Sequence, residues 1–121
     1  MEQTMKKQFE VTLEDTAKHQ GSGDHFVLST PRLVAYMENV AKQMIDGDSV
    51  GAKMEIRHTA PTPQGALFTV EAVLKETDGR RFTFEITAID CIEVIATATH
   101  VRYLVDFGEF QKKADAKMMP L

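Results

Sequence analysis

The chain has 121 residues, with 14 Lys plus Arg against 18 Asp plus Glu, a formal net charge of −4 and 43% hydrophobic residues. This describes one globular domain, residues 1–121, and is too short for a Rossmann dehydrogenase or a TIM barrel. The acidic balance lacks the cationic face with which a general nucleic-acid binder displaces phosphate counterions, so no nucleic-acid partner is expected. The single cysteine, Cys91, excludes an intramolecular disulfide. The start MEQTMKKQFEVTLED holds no apolar run of signal-peptide or membrane-spanning length, so the sequence reads as cytoplasmic, with no membrane partner.

Phe9, Val11 and Leu13 alternate with Glu10 and Thr12, the period of a half-buried strand. Residues 15–29, DTAKHQGSGDHFVLS, carry two glycines and two histidines without period, which predicts a long loop and candidate lid. Thr30-Pro31 then opens a helix, with Thr30 the expected N-cap and Pro31 at the first helical position, where a missing N–H costs nothing. Leu33, Val34, Met37, Val40, Ala41 and Met44 form an apolar stripe through Ile45, and Gly47 supplies the stop. This is the only long helix the pattern predicts.

Alternation then takes over. Val50, Ala52, Met54, Ile56 and His58 share one face, Lys53, Glu55 and Arg57 the other, and Pro61 and Pro63 end the strand. Residues 66–76 put Phe68, Val70, Ala72 and Leu74 on one face, and Thr77-Asp78-Gly79-Arg80 contains the Asp-Gly pair of a tight hairpin. Phe82, Phe84, Ile86 and Ala88 continue the partner strand, a last strand runs from about Val94 to Asp106, and 108–121 reads as a peripheral tail. Strand, loop, one long helix and four antiparallel strands predict an α+β domain of hotdog outline: one long central helix wrapped by a curved antiparallel sheet.

Five residues carry candidate chemistry. Glu38 follows Met37 at the border of the apolar stripe, where a charge either stays solvated or needs a partner. His58 lies on the face of Met54 and Ile56, where an unpaired imidazole is unfavourable; a satisfied core histidine is the plainer reading. A helix packed across the sheet would let Glu38 and His58 meet, and a carboxylate touching an imidazole can exchange protons with it. Thr30 is fully explained as a cap, although the N–H groups of that first turn can also polarise an acyl oxygen. Gly51 is either the strand entry or a point where a backbone N–H comes close to a substrate. Arg102 shares a strand face with His100 and is either a solvated charge or an anchor for a carboxylate or phosphate oxygen. The four histidines and Cys91 show no paired ligand spacing, so no metal is expected, and no phosphate-binding glycine loop is present.

From about Thr30 to Phe110 the chain resembles the fluoroacetyl-CoA thioesterase family of hotdog proteins. The resemblance rests on TPRLVAYMEN, VGAKMEIRHTAPTPQG, DGRRFTFEITAID and ATATHVRYLV. It implies a catalytic set of Thr30, Glu38 eight residues on, and His58 in the H-T-A-x-T-P-x-G run. It further implies Gly51 at the bound thioester and Arg102, in T-H-x-R, against the substrate. The expected function is an acyl-CoA thioesterase that hydrolyses a small or medium acyl-CoA to the carboxylic acid and free CoA. Glu38 attacks the thioester carbonyl or activates water, His58 shuttles protons, and Thr30 positions Glu38 or the thioester oxygen; the Gly51 backbone and the helix N-terminus stabilise the oxyanion. CoA is then substrate and no retained cofactor is expected. The alternatives are a non-catalytic acyl-CoA binding module and a hotdog dehydratase or hydratase. Pairing two copies would cover sheet edges that a single helix cannot, so a homodimer with its active site at the subunit interface is expected; the resemblance implies the same, a dimer or a dimer of dimers with Glu38 and His58 brought together across or beside that interface. Fluoroacetyl-specific members carry paired phenylalanines in the lid, whereas this chain offers His25-Phe26 within GSGDHF, so no fluoroacetyl preference is expected.

Overall fold

The computed structural model describes residues 3–118. Strand β1 (Gln3–Glu10) leads through a 3-10 turn (Leu13–Asp15) and a one-turn helix α1 (Ala17–Gln20) to α2 (Thr30–Gln43). Strands β2 (Ser49–His58), β3 (Leu67–Asp78), β4 (Arg81–Asp90) and β5 (Val94–Leu104) follow, and then helix α3 (Phe107–Asp115) with a closing 3-10 turn at Ala116–Met118. All pairings are antiparallel in one five-stranded sheet of order β1-β3-β4-β5-β2, which leaves β1 and β2 at its edges. Helix α2 lays Leu33, Met37, Val40 and Ala41 on Phe68, Val70 and Ala72 of β3, Phe84 and Ile86 of β4 and Ala96 and Ala98 of β5. These residues recur every three or four positions in the helix and every second one in the strands, so one stripe meets one sheet face.

Helical residues are divided among short segments, of which the 14-residue α2 is the longest among the described residues. Helix α2 stops at Gln43, ahead of the expected Gly47, and residues 107–115 of the tail form α3, which has no buried residue. The β3–β4 hairpin turns through Gly79, at φ +61, and Arg80. None of the described helices is long and apolar enough to cross a membrane.

Strand β1 lies earlier than the alternation of Phe9, Val11 and Leu13 suggests. Its last residue is Glu10, because the Thr12 N–H and hydroxyl both bond Asp15 Oδ2 at 2.9 Å and draw the chain into a turn. Asp15 is fully buried, and its carboxylate also accepts from the Tyr36 hydroxyl at 2.7 Å and the Arg32 Nε at 2.8 Å, while its carbonyl accepts from the Ser29 N–H. The loop is therefore pinned to the start of α2. Burial pushes the Asp15 pKa up, but the Thr12 N–H, the Tyr36 hydroxyl and Arg32 together outweigh it and hold the acid below its ordinary value. A depressed pKa stabilises the fold above the unfolded value near 3.9, and this contribution fades as pH falls through the folded pKa. Asp15→Asn is expected to lower stability by about 2–3 kcal/mol at pH 7, with the gap from the parent narrowing below about pH 4 in denaturant titrations.

Candidate active site

The start of α2 differs by one residue from the sequence reading, and the difference frees a hydroxyl. Ser29, not Thr30, is the N-cap: its Oγ accepts the Arg32 N–H at 3.3 Å, which puts Thr30 inside the first turn with Pro31 after it. Relieved of capping, the exposed Thr30 hydroxyl lies 2.7 Å from Nδ1 of the half-buried His58. The other ring nitrogen, Nε2, is buried without a hydrogen-bond partner. Burial lowers the His58 pKa, outweighing the Ala60 backbone, so the imidazole is neutral at pH 7 and can take up a proton. A cavity of about 390 Å³ opens beside this pair, lined also by Ser22, Val27 and Ala60.

A second cluster forms at the other end of β2. The register against β5 slips between Gly51 and Lys53, leaving Ala52 as a bulge. Ala52 is therefore exposed and does not share the His58 face as alternation suggests; Gly51, opposite Arg102, turns onto that face instead. A side chain at Gly51 would strike Glu38, since an ideal Cβ falls 2.5 Å from Glu38 Oε2. Arg102 is buried rather than solvated and gives its Nε to Ser49 Oγ at 3.0 Å and its Nη2 to the Ser49 carbonyl at 2.9 Å. Its Nη1 faces His100 Nε2 at 3.2 Å and stands 3.7 Å from Glu38 Oε2. Burial lowers the Arg102 pKa, and Glu38 and Asp48 oppose that. The sequence pattern carries no mark of Ser49, and it showed His100 only as sharing the Arg102 face of β5, without a role.

Thr30 and His58 therefore meet, and so do Glu38, Gly51 and Arg102, but the two groups stay apart within a chain. Eight residues of helix separate Thr30 from Glu38, roughly 12 Å, and seven of strand separate Gly51 from His58, roughly 20 Å. The direct Glu38–His58 contact expected from packing helix on sheet is absent among the described residues. A wider groove of about 660 Å³ follows the solvent side of the sheet past Glu55, Arg57, Glu85, Thr87, Thr97 and Thr99, and it includes none of the five candidates.

Residues 11–107 match the family model of the fluoroacetyl-CoA-specific thioesterase FlK. A fluoroacetyl-CoA thioesterase from Streptantibioticus cattleyicolor is 35% identical over 69 residues, which are 57% of this chain and 50% of that protein, so the match spans about half of the relative's length. The solved structure of FlK superposes with a TM-score of 0.87 at 26% identity, covering 98% of this chain and 96% of the other. A FlK variant in complex with acetyl-CoA gives 0.89 at 25% identity, covering 97% of each chain. A hot-dog-like protein from Thermanaerovibrio acidaminovorans shares the fold at 21% identity and a TM-score of 0.86, covering 98% and 93%. With most of its length matched by the family model and its hotdog fold shared with these structures, the chain belongs to the fluoroacetyl-CoA-specific thioesterase family.

Proposed function

We propose that the protein is an acyl-CoA thioesterase for small or medium acyl groups, and that two copies of the chain share each active site. The observation that carries this reading is the division of the candidate residues into two clusters at opposite ends of an edge strand. An edge strand offers backbone groups to another strand. Antiparallel pairing of β2 with itself about a two-fold axis at Glu55 sets Ile56 opposite the partner's Met54, and His58 opposite the partner's Gly51 and its bulge. The bulge makes this register work, because it presents Gly51 on the helix side of the sheet, where His58 also lies. The Thr30–His58 pair then lies beside the cluster that holds the partner's Glu38. Acyl-CoA is the substrate, and the chemistry uses neither a metal nor a retained cofactor.

In the shared site the thioester oxygen lies at the N-terminus of α2, where the helix dipole favours developing negative charge; Pro31 carries no N–H and Ser29 Oγ takes that of Arg32, so the first turn offers its dipole rather than a row of N–H donors. Thr30 is held there by His58, and the Gly51 backbone approaches from the partner. Glu38 attacks the thioester carbonyl or activates water, and His58 carries a proton to the departing CoA thiolate. Arg102 contributes a fixed charge beside Glu38 and the substrate. Phe26, the lone phenylalanine of the lid, is 51% exposed with Lys18 Nζ 5.3 Å from its ring centroid, and it does not line the cavity at Thr30 and His58. Among the described residues of one chain, the lining of that cavity holds no aromatic side chain.

Free-thiol release from acetyl-, fluoroacetyl-, butyryl- and hexanoyl-CoA tests this reading. Turnover is expected, with kcat/KM for acetyl- and fluoroacetyl-CoA within about tenfold, and Glu38→Gln should reduce kcat by about 10³-fold. Absence of thiol release from the whole panel, with binding retained, would favour an acyl-CoA binding module instead.

A further inference from the structure

Beneath Gly51 two opposite charges stand closer than solvation alone would bring them and farther apart than a closed ion pair. A guanidinium and a carboxylate that bond each other settle at about 2.7–2.9 Å. The 3.7 Å between Arg102 Nη1 and Glu38 Oε2 exceeds that, and Arg102 is only 5% exposed, so its donors need partners elsewhere. Ser49 takes Nε and Nη2, and the remaining contact of Nη1 is Nε2 of His100 at 3.2 Å. His100 is 1% exposed, and its Nδ1 lies 2.7 Å from the Lys53 carbonyl. A carbonyl only accepts, so Nδ1 carries the proton and Nε2 presents a lone pair to Arg102.

We propose that His100 is a positioning residue that draws Arg102 Nη1 toward itself, which keeps the guanidinium at ion-pair distance from Glu38 and leaves the carboxylate lone pairs to the reaction. The role rests on the thioesterase reading above. Without the acceptor at His100, Arg102 closes on Glu38 in a direct hydrogen bond and the nucleophile or base is tied down. An imidazolium at this position has the same effect, because its second N–H replaces the lone pair and its charge opposes Arg102. The groups facing the ring are Arg102 on its own strand, Glu38 on α2, the Lys53 carbonyl on β2 and the Phe84 ring on β4, with centroids 6.3 Å apart; Asp48, ahead of β2, acts on Arg102. Burial, aided by Arg102, holds the His100 pKa below its ordinary value against the opposing Lys53 carbonyl and Glu38.

Two substitutions separate this role from packing. His100→Leu fills the space without an acceptor and should lower kcat about 30-fold with KM within about threefold of the parent, whereas His100→Gln restores an acceptor and should recover kcat to within about threefold. Below neutral pH, log kcat of the parent should fall more steeply than that of His100→Gln, by one unit of slope, because the variant lacks one titrating group. The role is overturned if His100→Leu keeps its kcat, if both variants fold and lose activity equally, or if the slope is unchanged in His100→Gln; should His100→Leu not fold, the His100→Gln slope decides. Nitrogen-15 spectra of the imidazole at pH 7 give a readout independent of turnover. An unprotonated Nε2 that shifts in Arg102→Lys is expected, and a protonated Nε2 overturns the role even in a protein that hydrolyses acyl-CoA. A protein that releases no thiol yet shows the expected spectrum instead loses the thioesterase reading while the His100–Arg102 bond stands.

Discussion

Gly51→Ala is expected to lower kcat roughly a hundredfold while leaving the fold in place. The position sits in β2 without a left-handed φ, so alanine introduces no backbone strain there. The added methyl carbon would lie 2.5 Å from Glu38 Oε2, 3.3 Å from His100 Cε1 and 3.4 Å from Arg102 Nη1. Of the three, the flexible end of Glu38 is the group able to yield, and it must retreat by about 1 Å, a displacement that costs on the order of 10² in rate when the moved atom is the reacting one. A thermal melt within about 2 °C of the parent, beside the loss of thiol release, is the expected pair of measurements. Parental kcat in the alanine variant would show that the carboxylate at Gly51 is not the one that does the chemistry.

With the site shared between two copies, mixing two inactive variants is expected to restore activity. A Glu38→Gln pair and a His58→Ala pair each lack one essential group at both sites. After subunit exchange, half of the pairs are mixed, and each mixed pair holds one site with His58 from one chain and Glu38 from the other, so about a quarter of the parental rate is recovered. An active site contained in one chain predicts no recovery at all. Light scattering should give about twice 13.6 kDa or a multiple of it. A monomeric mass, with activity unchanged on dilution, would overturn the shared site.

The apolar periodicities located α2 and the last four strands because burial leaves a regular mark on sequence: every three or four residues along 33–41 and every second residue along 68–74 and 82–88. The same reasoning stumbled where side chains hydrogen-bond their own backbone. Ser29 and Thr30 are both cap residues by type, Ser the stronger, and the Ser29 N–H reaching the Asp15 carbonyl across the loop fixes Ser29 in that place. Only with the cap assigned to Ser29 does Thr30 become available to His58. The bulge at Ala52 escaped for a related reason, since strict alternation along 50–58 carries no sign of an inserted residue. The resemblance had grouped Thr30, Glu38, His58, Gly51 and Arg102 as one set with Glu38 and His58 meeting across or beside a subunit interface, but which of the other residues stands with which within one chain depends on strand order and register.

The loop over residues 15–29 leaves and re-enters the fold through a narrow neck. Ser29 bonds back to Asp15, Thr16 bridges Leu28, and the N–H groups of Ala17 and Lys18 reach the carbonyls of Val27 and His25. Everything from His19 to Asp24 lies beyond the last of these bonds. Because the ends are held whatever lies between them, the entropy of closing this segment changes only slowly with its length. The segment can be lengthened, shortened or recomposed while Thr30 keeps its place, so this loop and the Thr30–His58 pair beside it are free to diversify at different rates, one an interchangeable part and the other a fixed mount.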